Sequence, residues 1–466
     1  MDTLLNQILN HVLGLNFEHL SKTHINHLEE RLVDIIGCTV GGARAHGNNV
    51  LLEVFRQAGG KEEATVLFYG DRLPVDQVAM MNALQCRSYD FEVSEIDAYQ
   101  SENRTTGHIC ATVDTVALTL GEMLHAHGQD VILAAAVGAD LAVRLASAEH
   151  FHPDKSFDLT GTVTAFGAAA AAARLYRLNK VELRHALGIL TNLVSGSFQS
   201  VHDGALSFKL AQGAAARNAL LAVNLARGGF TGMSDPFFSP RGYFAQFTKE
   251  SDCRYITNGL GSRLFTRGYH KAYPGCFEVH AAVDGCMELI GPGDISSTDI
   301  HQVVVEVWPH VASSFIGQEF LEGDSAEKAL FNLRYAVANT LARGDSLPSH
   351  YDPCSIRDPE VLRLAGIVQI DPVLPVEWGH GVAAIVHILL KDGAKRSSKI
   401  PVAPGFPARP RSSEEIDSKF LANVKQATGI SESQSRKALE MLRSMRDLQD
   451  VALLAPLLTS RERETQ

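Results

Sequence analysis

The feature that most constrains this chain is a change of hydrophobic period near residue 268. Before that point apolar residues recur at helical spacing, as in Leu28, Leu32, Ile35 and Ile36. The runs 26–42, 111–127, 129–148, 161–178 and 205–228 all read as helices, and Gly41-Gly42 and Gly228-Gly229 supply stops. The segment 161–178 is built on small residues, with alanine throughout 168–173, which permits close packing against neighbours. Beyond 268 the texture differs. Residues 300–308 (IHQVVVEVW), 365–370 and 382–391 are rich in β-branched residues and alternate as half-buried strands should, with a helix over 325–342 between them. The segment from about 268 to 400 is therefore expected to be α+β. The Pro-rich stretch 400–410 reads as a linker, after which helical periodicity resumes over 414–427 and 432–457.

A chain of 466 residues exceeds one ordinary core, so two domains are expected. Its 42 basic and 53 acidic side chains leave a net charge of −11, which argues against nucleic acid or an anionic membrane as partner. A local basic pocket for an anionic substrate is compatible with that balance. The seven cysteines are scattered without a CxxC pair, the pattern of reduced thiols in a cytosolic protein. The first twenty residues lack a basic n-region and read as an amphipathic helix, not a signal peptide. The apolar stretches hold too little large hydrophobe for a membrane span. A soluble, cytoplasmic protein is expected.

Several chemistries lack a motif. There is no GxGxxG after a strand, no GxxxxGK[ST] and no GxSxG. The pairs His24/His27, His125/His127 and His150/His152 have no Cys or carboxylate company that would complete a metal-ligand set, so no metal is expected.

The most unusual stretch is 88–110, which places Asp90, Glu92, Glu95 and Asp97 close together and follows them with Arg104 and His108. It reads either as a solvated acidic loop or as a site, because it brings acids, the hydroxyls of Ser94, Thr105 and Thr106, and an imidazole into one connection between apolar helices. Positive charge is offered by Lys209, before a small-residue helix, and by Arg267, His270 and Lys271 near the expected domain junction. Junctions are favoured positions for ligand pockets.

The order of these motifs resembles the MmgE/PrpD family, which includes 2-methylcitrate dehydratases, cis-aconitate decarboxylases and iminodisuccinate epimerase. The similarity runs through LVDIIGCTVGG (32–42), ATVLFYGDRLPVDQVAMMNA (64–83), YDFEVS (89–94), GHICATV (107–113), GADLAVRLA (138–146) and TGTVTAFGAAAAAARL (160–175). It continues in FKLAQGAAARNALLAVNLARGGFTG (208–232), KAYPGCFEVHAAVDG (271–285) and LRYAVA (333–338). The resemblance implies a mainly α fold, in which a large all-helical domain (1–267 plus 405–466) carries an inserted smaller α+β lid domain (268–404). It also implies a homodimer, a cleft site between the domains, and no metal or organic cofactor. Carried over position by position, it gives Asp90, His108 and Tyr335 as catalytic residues, with Lys209 and Lys271 receiving substrate carboxylates. Ser94 falls where a threonine is usual, and Arg104 is grouped with the substrate-binding residues. Asp158 stands where decarboxylase-like members carry a second histidine in an H-x-T arrangement, and a carboxylate cannot replace an imidazole as a cation at neutral pH.

The shared chemistry is proton movement at a carbon next to a carboxylate, with the developing negative charge held by lysines. Three functions remain open on these residues. One is a hydro-lyase of the 2-methylcitrate dehydratase type, with cis-aconitate decarboxylation as a less secure variant. The second is an epimerase, in which Asp158 and His108 would be opposed proton carriers. The third is a metabolite-binding relative without activity, against which the lysines, His108 and Tyr335 argue.

Overall fold

The structure is a computed structural model and describes residues 3–96, 105–149, 157–291, 293, 295–375 and 382–461. It is 57% helical with small sheets, so the chain is mainly α. Helices Lys22–Gly41, Ile109–Leu124, Gly128–Ala148, Val163–Leu175 and Ser207–Arg227 stand within a few residues of their expected limits. Their bounds follow local chemistry. Ser21 caps the first of them through its side chain, which accepts the His24 N–H at 3.2 Å.

The alanine-rich segment does what its composition suggests. Ala168 to Ala173 are fully buried. Helices Gly128–Ala148 and Val163–Leu175 touch so closely at Gly138 and Gly167 that a Cβ on Gly167 would lie 2.5 Å from the Gly138 carbonyl oxygen. Only glycine admits that approach, and the side chains around it are packed accordingly. Gly128–Ala148 corrects one sequence expectation. By length and a mean hydropathy of 1.8 it could cross a membrane, yet 94% of that window is buried inside the protein, where it serves as a core helix.

One hydrophobic cluster runs from Leu5 to Ile256 and closes with Ile416, Phe420, Val424 and Leu458 from the C-terminal part of the chain. A second is centred on residues 269–406 and reaches into the first half of the chain through Tyr89, Phe91, Val93 and Phe208. The second contains a four-stranded sheet in the order Val368–Asp371, Ile300–Glu306, Ala384–Leu390, Lys395–Ile400. Its first pair is parallel and the other two are antiparallel. Three of these strands match the alternating runs. The fourth was not anticipated, because KRSSKI is an edge strand with only Ser398 and Ile400 buried. The expected helix 325–342 is two helices, Ala326–Leu330 and Leu333–Arg343, divided where Asn332 accepts the Tyr335 N–H as a new N-cap. The Pro-rich stretch is packed rather than loose. Phe406 lies against Tyr269 with ring centroids 5.7 Å apart, and a Cβ on Gly405 would fall 2.0 Å from the His270 carbonyl oxygen.

A small antiparallel sheet then joins distant parts of the chain. Strand Ser94–Ile96 lies between Thr105–Gly107 and Gly268–Tyr269, with Ser94 opposite Tyr269 and Glu95 opposite Gly268. This pairing brings the acidic stretch alongside the segment that carries Lys271.

Candidate active site

Asp90 follows the C-terminal end of helix Val75–Arg87 in a tight turn, its N–H bonded to the Arg87 carbonyl at 3.1 Å. Its φ of +48° lies in the left-handed region, which costs free energy in a residue other than glycine and is tolerated best by Asn and Asp. The turn aims the Asp90 carboxylate into a largely buried cluster of charges. Arg87 contacts Oδ1, Lys271 Nζ lies 2.9 Å from Oδ1, and His108 Nε2 lies 3.4 Å from it. Burial alone would raise the pKa of Asp90, but Arg87, Lys271 and His108 together hold it well below the usual carboxylate range.

Glu92 completes the cluster. Its Oε1 lies 2.6 Å from His108 Nδ1 and 3.6 Å from Arg87. Burial opposes its ionisation, and His108 and Arg87 outweigh it, so Glu92 is also held ionised. The close approach to His108 does not have hydrogen-bond geometry. Both Glu92 oxygens, His108 Nδ1, Arg87 Nε and Gln212 Oε1 are buried without a hydrogen-bond partner among the described residues. Orphaned polar atoms gathered in one place are unusual in a folded interior and mark a position built for a ligand or for rearrangement.

His108 is fixed from two directions. It is the residue before helix Ile109–Leu124, whose first N–H groups, on Ile109 and Cys110, are taken by the Glu95 carboxylate at 2.8 and 2.6 Å. Its carbonyl accepts from Gln212 Nε2 at 2.9 Å. Gln212 lies one helical turn beyond Lys209 on Ser207–Arg227, so the same helix positions both. Lys209 Nζ donates to the His46 carbonyl at 2.6 Å, and burial lowers its pKa to about 8, with Glu327 opposing the shift.

The remaining expected residues are placed less uniformly. Lys271 is buried, and its three N–H donors go to the Asp90 carboxylate, the Asp90 carbonyl at 2.7 Å and the Gly275 carbonyl at 3.2 Å. In this conformation it orients Asp90 and has no donor left for a substrate carboxylate. Ser94 is buried on its strand with its hydroxyl 3.5 Å from the Gly107 carbonyl. Asp158 accepts the Thr160 N–H at 2.9 Å, and its charge is felt at Arg87, which places it beside the cluster. Tyr335 is fully buried between Phe320 and Tyr351, its hydroxyl donated to the His350 carbonyl. Arg104 lies outside the described residues.

Arg87 and Gln212 are groups that sequence reasoning missed, and His280 lay within the 271–285 motif without being singled out. Glu92 was noticed only as one of several acids. His280 begins helix His280–Ile290, is fully buried, and has neither ring nitrogen hydrogen-bonded among the described residues. Burial and the Lys271 charge lower its pKa to about 3, against a smaller opposing effect of Asp90, so the ring is neutral.

Asp90, Glu92 and His108 each offer a ligand atom within 4.8 Å of the others, which is metal-site spacing. The charges argue against that use. Both carboxylates are already paired with Arg87, and Asp90 also with Lys271, so a divalent ion would sit against two fixed buried cations. What the arrangement can do is hold and move a proton: an imidazole lies between two ionised carboxylates, with cations nearby.

The MmgE/PrpD N-terminal domain matches residues 6–256, and the MmgE/PrpD C-terminal domain matches residues 273–445. The human (Homo sapiens) cis-aconitate decarboxylase is 24% identical over 460 residues, covering 96% of this chain and 92% of its own. The mouse (Mus musculus) enzyme of the same name is 23% identical over 467 residues, covering 96% and 91%. That of Aspergillus terreus is 27% identical over 275 residues, covering 56% and 54%. With both domains accounted for, the chain belongs to the MmgE/PrpD family.

Proposed function

We propose that this protein is a cofactor-independent lyase that moves a proton at a carbon next to a carboxylate in a small di- or tricarboxylate, as a hydro-lyase of the 2-methylcitrate dehydratase type. The observation that carries the reading is the half-buried His108 between Asp90 and Glu92, with Arg87 and Lys271 on those carboxylates and Lys209 on the helix whose Gln212 holds the His108 carbonyl. His108 takes the proton from the carbon next to the substrate carboxylate. The electron pair moves onto that carboxylate as an enediolate, stabilised by the cations, and then expels the neighbouring hydroxyl, which leaves as water once protonated. Asp90 and Glu92 lie against the two ring nitrogens and keep the imidazole oriented. Lys209 is the cation best placed to meet substrate, since its pKa of about 8 leaves it charged at neutral pH and only one donor is committed to protein.

A second reading is carboxy-lyase activity, favoured by the human and mouse relatives that cover nearly the whole chain. In that case the bond to a carboxylate breaks, CO2 leaves, and His108 returns a proton to the carbanion. Asp158 supports the first reading, because a carboxylate stands where decarboxylase-like members have an imidazole.

A proton NMR time course in D2O with 2-methylcitrate, citrate, cis-aconitate, iminodisuccinate and related hydroxy acids tests both. Alkene formation with loss of the hydroxylated substrate supports the hydro-lyase. CO2 release with one deuterium fixed in the product supports the carboxy-lyase. Exchange with inversion and no alkene would make the protein an epimerase and overturn the proposal.

A further inference from the structure

A cavity of about 150 Å3 lies outside the catalytic cluster, bounded by helix Lys22–Gly41, the strand beginning at Gly268 and the Pro-rich segment that follows Ile400. Its ionisable lining is His27, Glu30, Arg267, His270 and Arg411. Glu30 is the one acid among them, and it is occupied: Ser413 donates to it at 2.6 Å and Arg443 lies 3.7 Å away. Arg411 keeps a loose contact with Glu415 at 3.4 Å. Arg267 makes no hydrogen bond or ion pair among the described residues. Two guanidinium groups and two imidazoles thus face a space large enough for a small acid, with their negative charge largely spent elsewhere.

We propose that this cavity binds a small oxyanion, a carboxylate or a phosphate, and that its occupancy is transmitted to the catalytic loop through His270. The path is continuous. His270 uses Nδ1 on Asp34 at 3.1 Å, which leaves Nε2 for a ligand. Asp34 accepts the Val93 N–H at 2.9 Å and Lys419 Nζ at 2.8 Å, and Lys419 in turn donates to the Phe91 carbonyl at 2.6 Å. One backbone neighbour of Glu92, Val93, is therefore held by the carboxylate that His270 contacts, and the other, Phe91, by the lysine bound to that carboxylate. In the other direction along the chain, His270 is followed directly by Lys271, which holds Asp90. An anion that draws the His270 ring or its backbone moves the two carboxylates that flank His108. Gly405 closes the cavity against the His270 carbonyl with no room for a side chain, so the Pro-rich segment reports on the same residue.

This inference does not rest on the lyase reading, and the test separates the two. Calorimetric titrations of the intact chain with inorganic phosphate and with succinate give the affinity of each anion class. Saturable binding of one of them is expected, weakened about tenfold or more in Arg267→Ala/Arg411→Ala and unchanged within about twofold in His108→Ala. Arg267→Gln alone, on an exposed side chain, serves should the double variant fold poorly. Saturation is also expected to shift the His108 ring resonances in the parent protein and not in His270→Ala. Absence of binding, binding that survives loss of the arginines, or binding lost with His108 instead would overturn the site. A bound anion that leaves the His108 resonances in place would overturn the transmission.

Discussion

Glu92 Oε1 lies 2.6 Å from Nδ1 of His108, the carboxylate buried behind the ring. By charge alone, without hydrogen-bond geometry, that carboxylate favours a proton on Nδ1, and Nε2 is then the nitrogen that works on substrate. Glu92→Gln keeps the size of the side chain and removes this control, so turnover is expected to fall about 100-fold with an unchanged circular dichroism spectrum. Glu92→Asp, which restores the charge at a longer distance, is expected to recover part of that loss. Equal turnover in the parent and the Gln variant would remove Glu92 from the mechanism.

Lys271 and Asp90 form a buried pair whose partners are useful only together. Lys271→Met leaves Asp90 with Arg87 and His108 only and is expected to cost about 3–5 kcal/mol, read as a lowered unfolding midpoint in urea. Asp90→Asn in the same chain is expected to restore part of that stability without restoring activity. The non-additivity in such a cycle measures the pair.

Lys209 gives a pH dependence with a definite sign. Its folded pKa of about 8 lies below the ordinary value of 10.5, so below pH 8 the group is charged in both states and burial of that charge opposes folding. Between pH 8 and 10.5 the unfolded chain binds more protons, and the ligand-free protein is expected to gain stability from this group as pH rises. Substrate affinity is expected to change in the opposite sense. KM for a carboxylate substrate rises above pH 8 as the ammonium is lost. Lys209→Arg, which stays charged, is expected to flatten that rise.

Tyr335 is expected to behave as a packing residue. With its hydroxyl donated to the His350 carbonyl, Tyr335→Phe is expected to cost about 1 kcal/mol in stability and to lower turnover less than tenfold. A larger loss of kcat in a stable variant would restore the catalytic role that family resemblance suggests.

Local pattern carried the helices and the three alternating strands, because both are periodicities within one segment. It did not carry Lys395–Ile400, whose polar face is what an edge strand exposed to water looks like. The site was legible as a set of candidate residues and illegible as a geometry. Asp90 and His108 share one acidic stretch, but Lys271 reaches Asp90 across 181 positions, through strand pairing of Ser94 with Tyr269. Arg87 gave no signal at all. It is the last residue of a helix buried on every side from Val78 onward, and only the turn at Asp90 brings both carboxylates onto it. Residues 157–160 showed that Asp158 replaces a histidine, but not that its charge would fall beside Arg87.

Lys419 belongs to helix Ser413–Ala427, near the end of the chain, yet its ammonium is tied to the carbonyl of Phe91 and to Asp34. On the ribosome, the loop holding Asp90 and Glu92 is made more than three hundred residues before the lysine that anchors it. A nascent chain therefore carries every acid of the cluster long before it can hold them in place, and becomes competent only when its last helices leave the exit tunnel.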